Sequence, residues 1–138
     1  MELADIKKQF FAYRNGVAAE ALRRSGMPYR MIFGLDLPTL TNLARQIGYN
    51  HALARRLWNE KDVRESRLLA IYLYDPDTLQ IDESIQLCLE VGNKEEADIM
   101  AFRLLRRLPY AAQLLGRLKE RYQDNIVIMP LEKNLQRH

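Results

Sequence analysis

Reactive side chains are scarce in this chain of 138 residues: it has one cysteine, Cys88, and two histidines, His51 and the terminal His138. A single cysteine excludes an internal disulfide and any cysteine-based metal site, and it suits a reducing compartment. Its setting, Ile85-Gln86-Leu87-Cys88-Leu89, reads as a buried small hydrophobe rather than a reactive thiol. Two histidines cannot build a His-rich metal centre, so we expect neither metal nor cofactor. A glycine-rich phosphate loop, a Ser-His-Asp set and an HExxH motif are all missing. The longest apolar run, Leu68 to Tyr74, is far too short to cross a bilayer. The first eight residues are charged where a signal peptide needs an apolar core. The expectation is a soluble, cytoplasmic protein with no membrane partner.

What is present is ordinary in amount and uneven in placement. A hydrophobic content of 48% and a charged fraction of 28% fit one globular domain with a real core. Net charge is only +3, which argues weakly for any partner. Along the chain, residues 1–74 carry 12 Lys and Arg against 7 Asp and Glu, and residues 75–98 carry one base against 8 acids. Residues 99–138 return to 8 bases against 3 acids. Arginine outnumbers lysine 15 to 6, a bias toward planar, multidentate contacts with carboxylate or phosphate.

Hydrophobic spacing predicts helices throughout. Leu3, Ile6, Phe10, Tyr13 and Val17 form one stripe, interrupted by Gly16 into helices at Asp5–Arg14 and Val17–Ser25. Ser25-Gly26-Met27-Pro28 ends this segment, and the interval 27–37 reads as a packed loop. Pro38 opens a helix that Gly48 closes, and Asn50 caps another, burying Leu53, Leu57 and Trp58. Asp62-Val63-Arg64-Glu65 has capping-box spacing. The helix it starts runs through Leu68–Tyr74, apolar on all sides and therefore central. After a turn at Asp75-Pro76-Asp77, Asp82 caps a helix ending at Gly92. Asn93 caps the next, with Ile99, Phe102, Leu105 and Leu108 as its core stripe, and Pro109 opens a last one. Residues 122–138 show little periodicity. The predicted fold is all-α, about seven or eight short helices in a HEAT-like or armadillo-like solenoid over residues 1–121, followed by an irregular C-terminal tail at 122–138.

Three constellations are candidates for function. Arg64 and Arg67, with Arg55 and Arg56 a helix earlier, present guanidinium groups along one edge of the central helix pair in one reading. Arg103, Arg106 and Arg107 cluster at a helix end; repeated on stacked helices, such positions make a basic stripe suited to a phosphate backbone. The competing reading of both groups is pairing with nearby carboxylates. Glu95, Glu96 and Asp98 form a carboxylate group able to serve acid–base chemistry, or simply to stabilise a helix N-terminus.

The segment from Phe33-Gly34-Leu35 and Pro38, through Leu57-Trp58, to Val63-Arg64-Glu65-Ser66-Arg67-Leu68-Leu69-Ala70 resembles the DNA alkylation repair family, alkylpurine DNA glycosylases built from HEAT-like repeats. The likeness covers residues 22–75, and the remainder by helix pattern. It implies a basic concave surface holding duplex DNA by its backbone, with tryptophans flanking the lesion and an aspartate stabilising the developing positive charge. Here the chain departs: where the Trp-Trp-Asp stretch would fall it reads Lys94-Glu95-Glu96, and no Trp follows Trp58. No catalytic role is therefore carried over to any residue. Three functions follow as expectations. They are a non-catalytic or divergent relative binding duplex DNA, a helical-repeat scaffold for a protein partner, and a glycosylase with an altered active site.

Overall fold

The computed structural model describes residues 1–136, so His138 lies outside the described residues. Those residues form nine α-helices and one 3-10 turn, with no strand beyond an isolated bridge between Met31 and Val63. The helical expectation is thus met throughout. The chain divides into two compact units, Met1–Tyr74 and a second from Asp75 onward.

The first unit holds α1 (Leu3–Ala12), α2 (Gly16–Arg24), α3 (Leu37–Ile47), α4 (His51–Trp58) and α5 (Arg64–Leu73). The predicted break falls slightly earlier than the glycine. Asn15 accepts a hydrogen bond from the Ala18 N–H at 3.0 Å and so caps α2, leaving Gly16 as its first residue. Tyr13 and Val17, expected in the core stripe, are exposed as a result. Asp36 and Asn50 cap α3 and α4 through the N–H groups of Thr39 and Leu53. Helix α5 is the centre of the unit: every residue of it except Tyr72 is buried. It packs against α3 and α4, where Leu40, Leu57, Leu68, Leu69, Ile71 and Leu73 are essentially inaccessible to water. Burial of each such side chain contributes about 1.5–3 kcal/mol before chain entropy is charged against it.

The second unit holds α6 (Ile81–Glu90), α7 (Lys94–Arg103), the 3-10 turn Leu105–Arg107, α8 (Ala111–Arg121) and α9 (Ile128–Gln136). Helix α6 starts from Gln80, so Asp82 sits in its first turn rather than at the cap. Within the stretch expected to be an irregular tail, Ile128–Gln136 form a helix that packs on α7 and α8. Val127 and Leu131, four residues apart, are fully buried beneath it, while Asn125 donates from Nδ2 to the Cys88 carbonyl at 3.1 Å and anchors its start. The near-continuous apolar run Ile126–Leu131 masks that period in the sequence. Pro130 is tolerated because the first turn of a helix needs no N–H from it. Phe102, predicted as core, is instead 44% exposed. Among the described residues, no helix is long and apolar enough to cross a membrane.

Candidate nucleic-acid interface

The family-like segment folds into a buried polar clamp. Glu65 is wholly inaccessible to water, and its carboxylate accepts the N–H groups of Phe33, Gly34 and Leu35 at 2.9, 3.0 and 3.3 Å. Arg64, also buried, donates from Nη1 both to Glu65 Oε2 at 2.7 Å and to the Leu35 carbonyl at 3.0 Å. The loop before α3 is thereby fastened to the first turn of α5. Backbone hydrogen bonds complete the seam, from Met31 N–H to the Asp62 carbonyl and from Arg64 N–H to the Met31 carbonyl. The capping box expected from Asp62 and Glu65 does not form: Val63 is the N-cap of α5 and has no side-chain cap, because the loop takes the glutamate.

Gly34 makes this possible. Its φ is +83°, and a Cβ there would lie 2.8 Å from Ala19 N and closer still to the Asn15 carbonyl oxygen. Only glycine meets both demands cheaply.

Arg67 completes the buried set. Its guanidinium lies 3.5 Å from the centroid of the Trp58 ring, and Nη1 donates to the Trp58 carbonyl at 3.1 Å. Desolvated cation–π contacts of this kind are worth up to about 2 kcal/mol. Beside it, Ser66 donates to Glu60, whose other oxygen pairs with Lys7 at 3.0 Å. Arg64 and Arg67 are therefore not the outward guanidiniums expected of a DNA surface, with exposures of 4% and 3%. Their charges are spent on packing.

The remaining candidates are at the surface. Arg55 and Arg56 occupy the last turn of α4 and are exposed. In the second unit, Arg106 donates from Nε to the Phe102 carbonyl at 2.6 Å and lies 4.3 Å from the Phe102 ring centroid, with Arg103 at 5.3 Å from the same ring. Arg107 is exposed. Among the described residues, Arg56, Arg106 and Arg107 have no carboxylate partner.

The carboxylate candidates at the start of α7 are placed for structure. Glu96 is buried and accepts the Gly92 N–H at 2.9 Å, while its own N–H is capped by Asn93. Asp98 pairs with Lys94 at 2.7 Å on the surface. Glu95 is partly exposed in the first turn of α7, a position that stabilises a helix N-terminus. Among the described residues no group of His, Cys, Asp and Glu is arranged to hold a metal ion.

The sequence reading missed the role of Glu65, whose four-donor environment depends on a loop some thirty residues away. Its legible trace was Gly34 beside apolar neighbours, the mark of a backbone approached closely.

The described residues are all-helical, with a polar clamp at the heart of the first unit and, in each unit, arginines that have no carboxylate partner among those residues. The chain belongs to the family of the DNA alkylation repair enzyme, whose family model matches residues 6–123. No curated protein and no solved structure matches it.

Proposed function

We propose that this protein is a non-catalytic or divergent member of the DNA alkylation repair family that binds duplex DNA by its phosphate backbone. The observation that carries this reading is the availability of Arg56, Arg106 and Arg107, which have no carboxylate partner among the described residues. The first unit also carries an excess of basic side chains. With Arg64, Arg67 and Glu65 buried, ten basic side chains remain against six acidic ones. Arg55 adds to the basic surface of the first unit and Arg103 to that of the second.

The family's description names an enzyme, and the divergence of this chain lies in its carboxylates. Glu96 accepts a backbone N–H and Asp98 pairs with Lys94, while Glu95 stands in the first turn of α7. Release of a modified base from alkylated duplex DNA, lost in Glu95→Gln, would restore the glycosylase reading. Fluorescence anisotropy with a labelled duplex tests the binding proposal. Affinity should fall steeply between about 50 and about 200 mM salt, as counterion release requires. Absence of binding at the lower salt would overturn it.

One observation favours the second reading, a protein partner. The groove between α7 and α9, about 630 Å3, is lined by the exposed side chains of Phe102, Ile126 and Met129, and exposed apolar surface of that kind marks interaction sites. A protein co-purifying with the wild-type chain and lost from Met129→Glu, together with no shift of duplex DNA, would decide for it.

A further inference from the structure

A second concavity, in the first unit, has a different chemistry. It is a cleft of about 380 Å3 between α1 and α3. Gln9 and Tyr13 reach it from α1 and the residue that ends it, four positions apart, while Asn42, Arg45 and Gln46 reach it from one face of α3. Leu43, buried, forms its floor. Thr39 also borders the cleft, but its side chain is engaged with Asp36. Among the described residues, none of the side chains of Gln9, Tyr13, Asn42, Arg45 and Gln46 makes a hydrogen bond or ion pair with the rest of the chain. No carboxylate lines the space, and Arg45 is its only charge.

Five polar groups that are not engaged with the rest of the chain border one concavity, and their kind favours a ligand with matching donors and acceptors. Three primary amides each offer a donor beside an acceptor, the pattern that complements the N6 and N7 edge of adenine. The Tyr13 ring, 58% exposed, supplies a face on which a base stacks. Arg45 supplies a planar cation for a phosphate. The volume lies within the range of small-molecule sites and suits one nucleotide, not a peptide or a duplex. A guanine edge, with two acceptors, would ask for an arginine where the amides stand, and a simple sugar would leave the tyrosine face unused.

We propose that this cleft binds a single adenine nucleotide, its ring against Tyr13, its amino edge read by Asn42 and Gln46, and its phosphate on Arg45. The same chemistry is offered by a free nucleotide and by an unpaired adenine nucleotide within a DNA strand. The site does not depend on duplex binding, because none of the arginines assigned to the duplex lines it.

The test is calorimetric titration of the full chain with AMP, CMP, adenosine and ribose 5-phosphate, beside anisotropy with oligodeoxyadenylate and oligodeoxycytidylate. AMP should bind at least tenfold more tightly than CMP or ribose 5-phosphate. The double substitution Asn42→Ala/Gln46→Ala should remove that preference, and Arg45→Ala should equalise AMP and adenosine. All three positions are exposed, so unchanged circular dichroism is expected of each variant. Preferential, Asn42-dependent binding of oligodeoxyadenylate without binding of AMP assigns the site to an unpaired adenine in a strand. Equal affinities for AMP, CMP and ribose 5-phosphate, affinity untouched by the double substitution, or no binding of AMP and of either oligonucleotide overturns the proposal. The Arg56→Glu/Arg107→Glu protein should keep its AMP affinity even where duplex binding is lost, which separates the two readings.

Discussion

Replacing Glu65 by alanine removes the acceptor of three backbone N–H groups and the partner of a buried guanidinium at once. Leaving a buried donor unsatisfied costs about 1–3 kcal/mol, and breaking a buried ion pair by deleting one member costs about 3–5 kcal/mol. These contributions overlap, so a loss of about 4 kcal/mol or more is expected, against a total stability of about 5–15 kcal/mol for a domain. Urea unfolding followed by circular dichroism and by Trp58 emission measures it. Glu65→Gln keeps the shape and one carbonyl acceptor, and should lose about 2 kcal/mol, chiefly the charged part of the interaction with Arg64. The double variant Arg64→Met/Glu65→Met separates the two contributions. Replacing a buried ion pair by apolar groups is often neutral, yet the N–H groups of Phe33, Gly34 and Leu35 would remain without their acceptor, so this variant should stay destabilised. A loss below about 1 kcal/mol for Glu65→Ala, or wild-type stability in the double variant, would refute the clamp.

Three further outcomes follow from the same geometry. Gly34→Ala should cost about 2 kcal/mol or more in urea unfolding, because a positive φ penalises any Cβ and the added atom meets the backbone of Asn15 and Ala19; wild-type stability would contradict this. Arg67→Ala should lose about 2 kcal/mol and shift Trp58 emission to longer wavelength. Arg67→Lys should recover less than half of that loss, since an ammonium cannot both stack on the ring and hold the Trp58 carbonyl in the same fork. Burial pushes the Cys88 thiol from an ordinary value of 9.0 up to about 12, so at pH about 8 its alkylation in the folded protein should be on the order of 1000-fold slower than in urea. The folded state holds this proton more tightly than the unfolded chain. The corresponding stabilisation is complete below pH 9 and is lost as pH rises toward 12, and alkylation within tenfold of the unfolded rate would show the thiol to be accessible.

Helix placement was readable from sequence because its signals are local. Caps at Asn50 and Asn93 and terminators at Gly26 and Gly48 act within a few residues of themselves. Helix α5 was readable as central from its apolar run alone. The burial of Arg64 and Arg67 was not legible in the sequence for a physical reason: burial of a charge depends on long-range partners. Glu65 is enclosed by a loop 30 to 32 residues distant, and Arg67 by a ring nine residues away. Charge pattern in sequence cannot distinguish a guanidinium offered to solvent from one closed under an indole. The same limitation explains Phe102, whose helical spacing matched a core position while α7 turns it outward beneath Arg106. Helix α9 was hidden for the opposite reason, an apolar cluster too dense to show its period. The cleft between α1 and α3 left no sequence signal beyond glutamines and an asparagine at helical spacing, which elsewhere would be solvated surface.

The most direct measurement is the salt dependence of duplex binding, comparing the wild-type chain with Arg56→Glu/Arg107→Glu. Each guanidinium that meets a phosphate contributes about 0.9 to the slope of log affinity against log salt. Backbone binding through these arginines predicts a steep wild-type slope that falls by about 2 in the double variant, with the helical circular dichroism unchanged and the loss of affinity equal for unrelated duplex sequences. A wild-type protein that binds no duplex at low salt, or a double variant with the same affinity and slope, would contradict it.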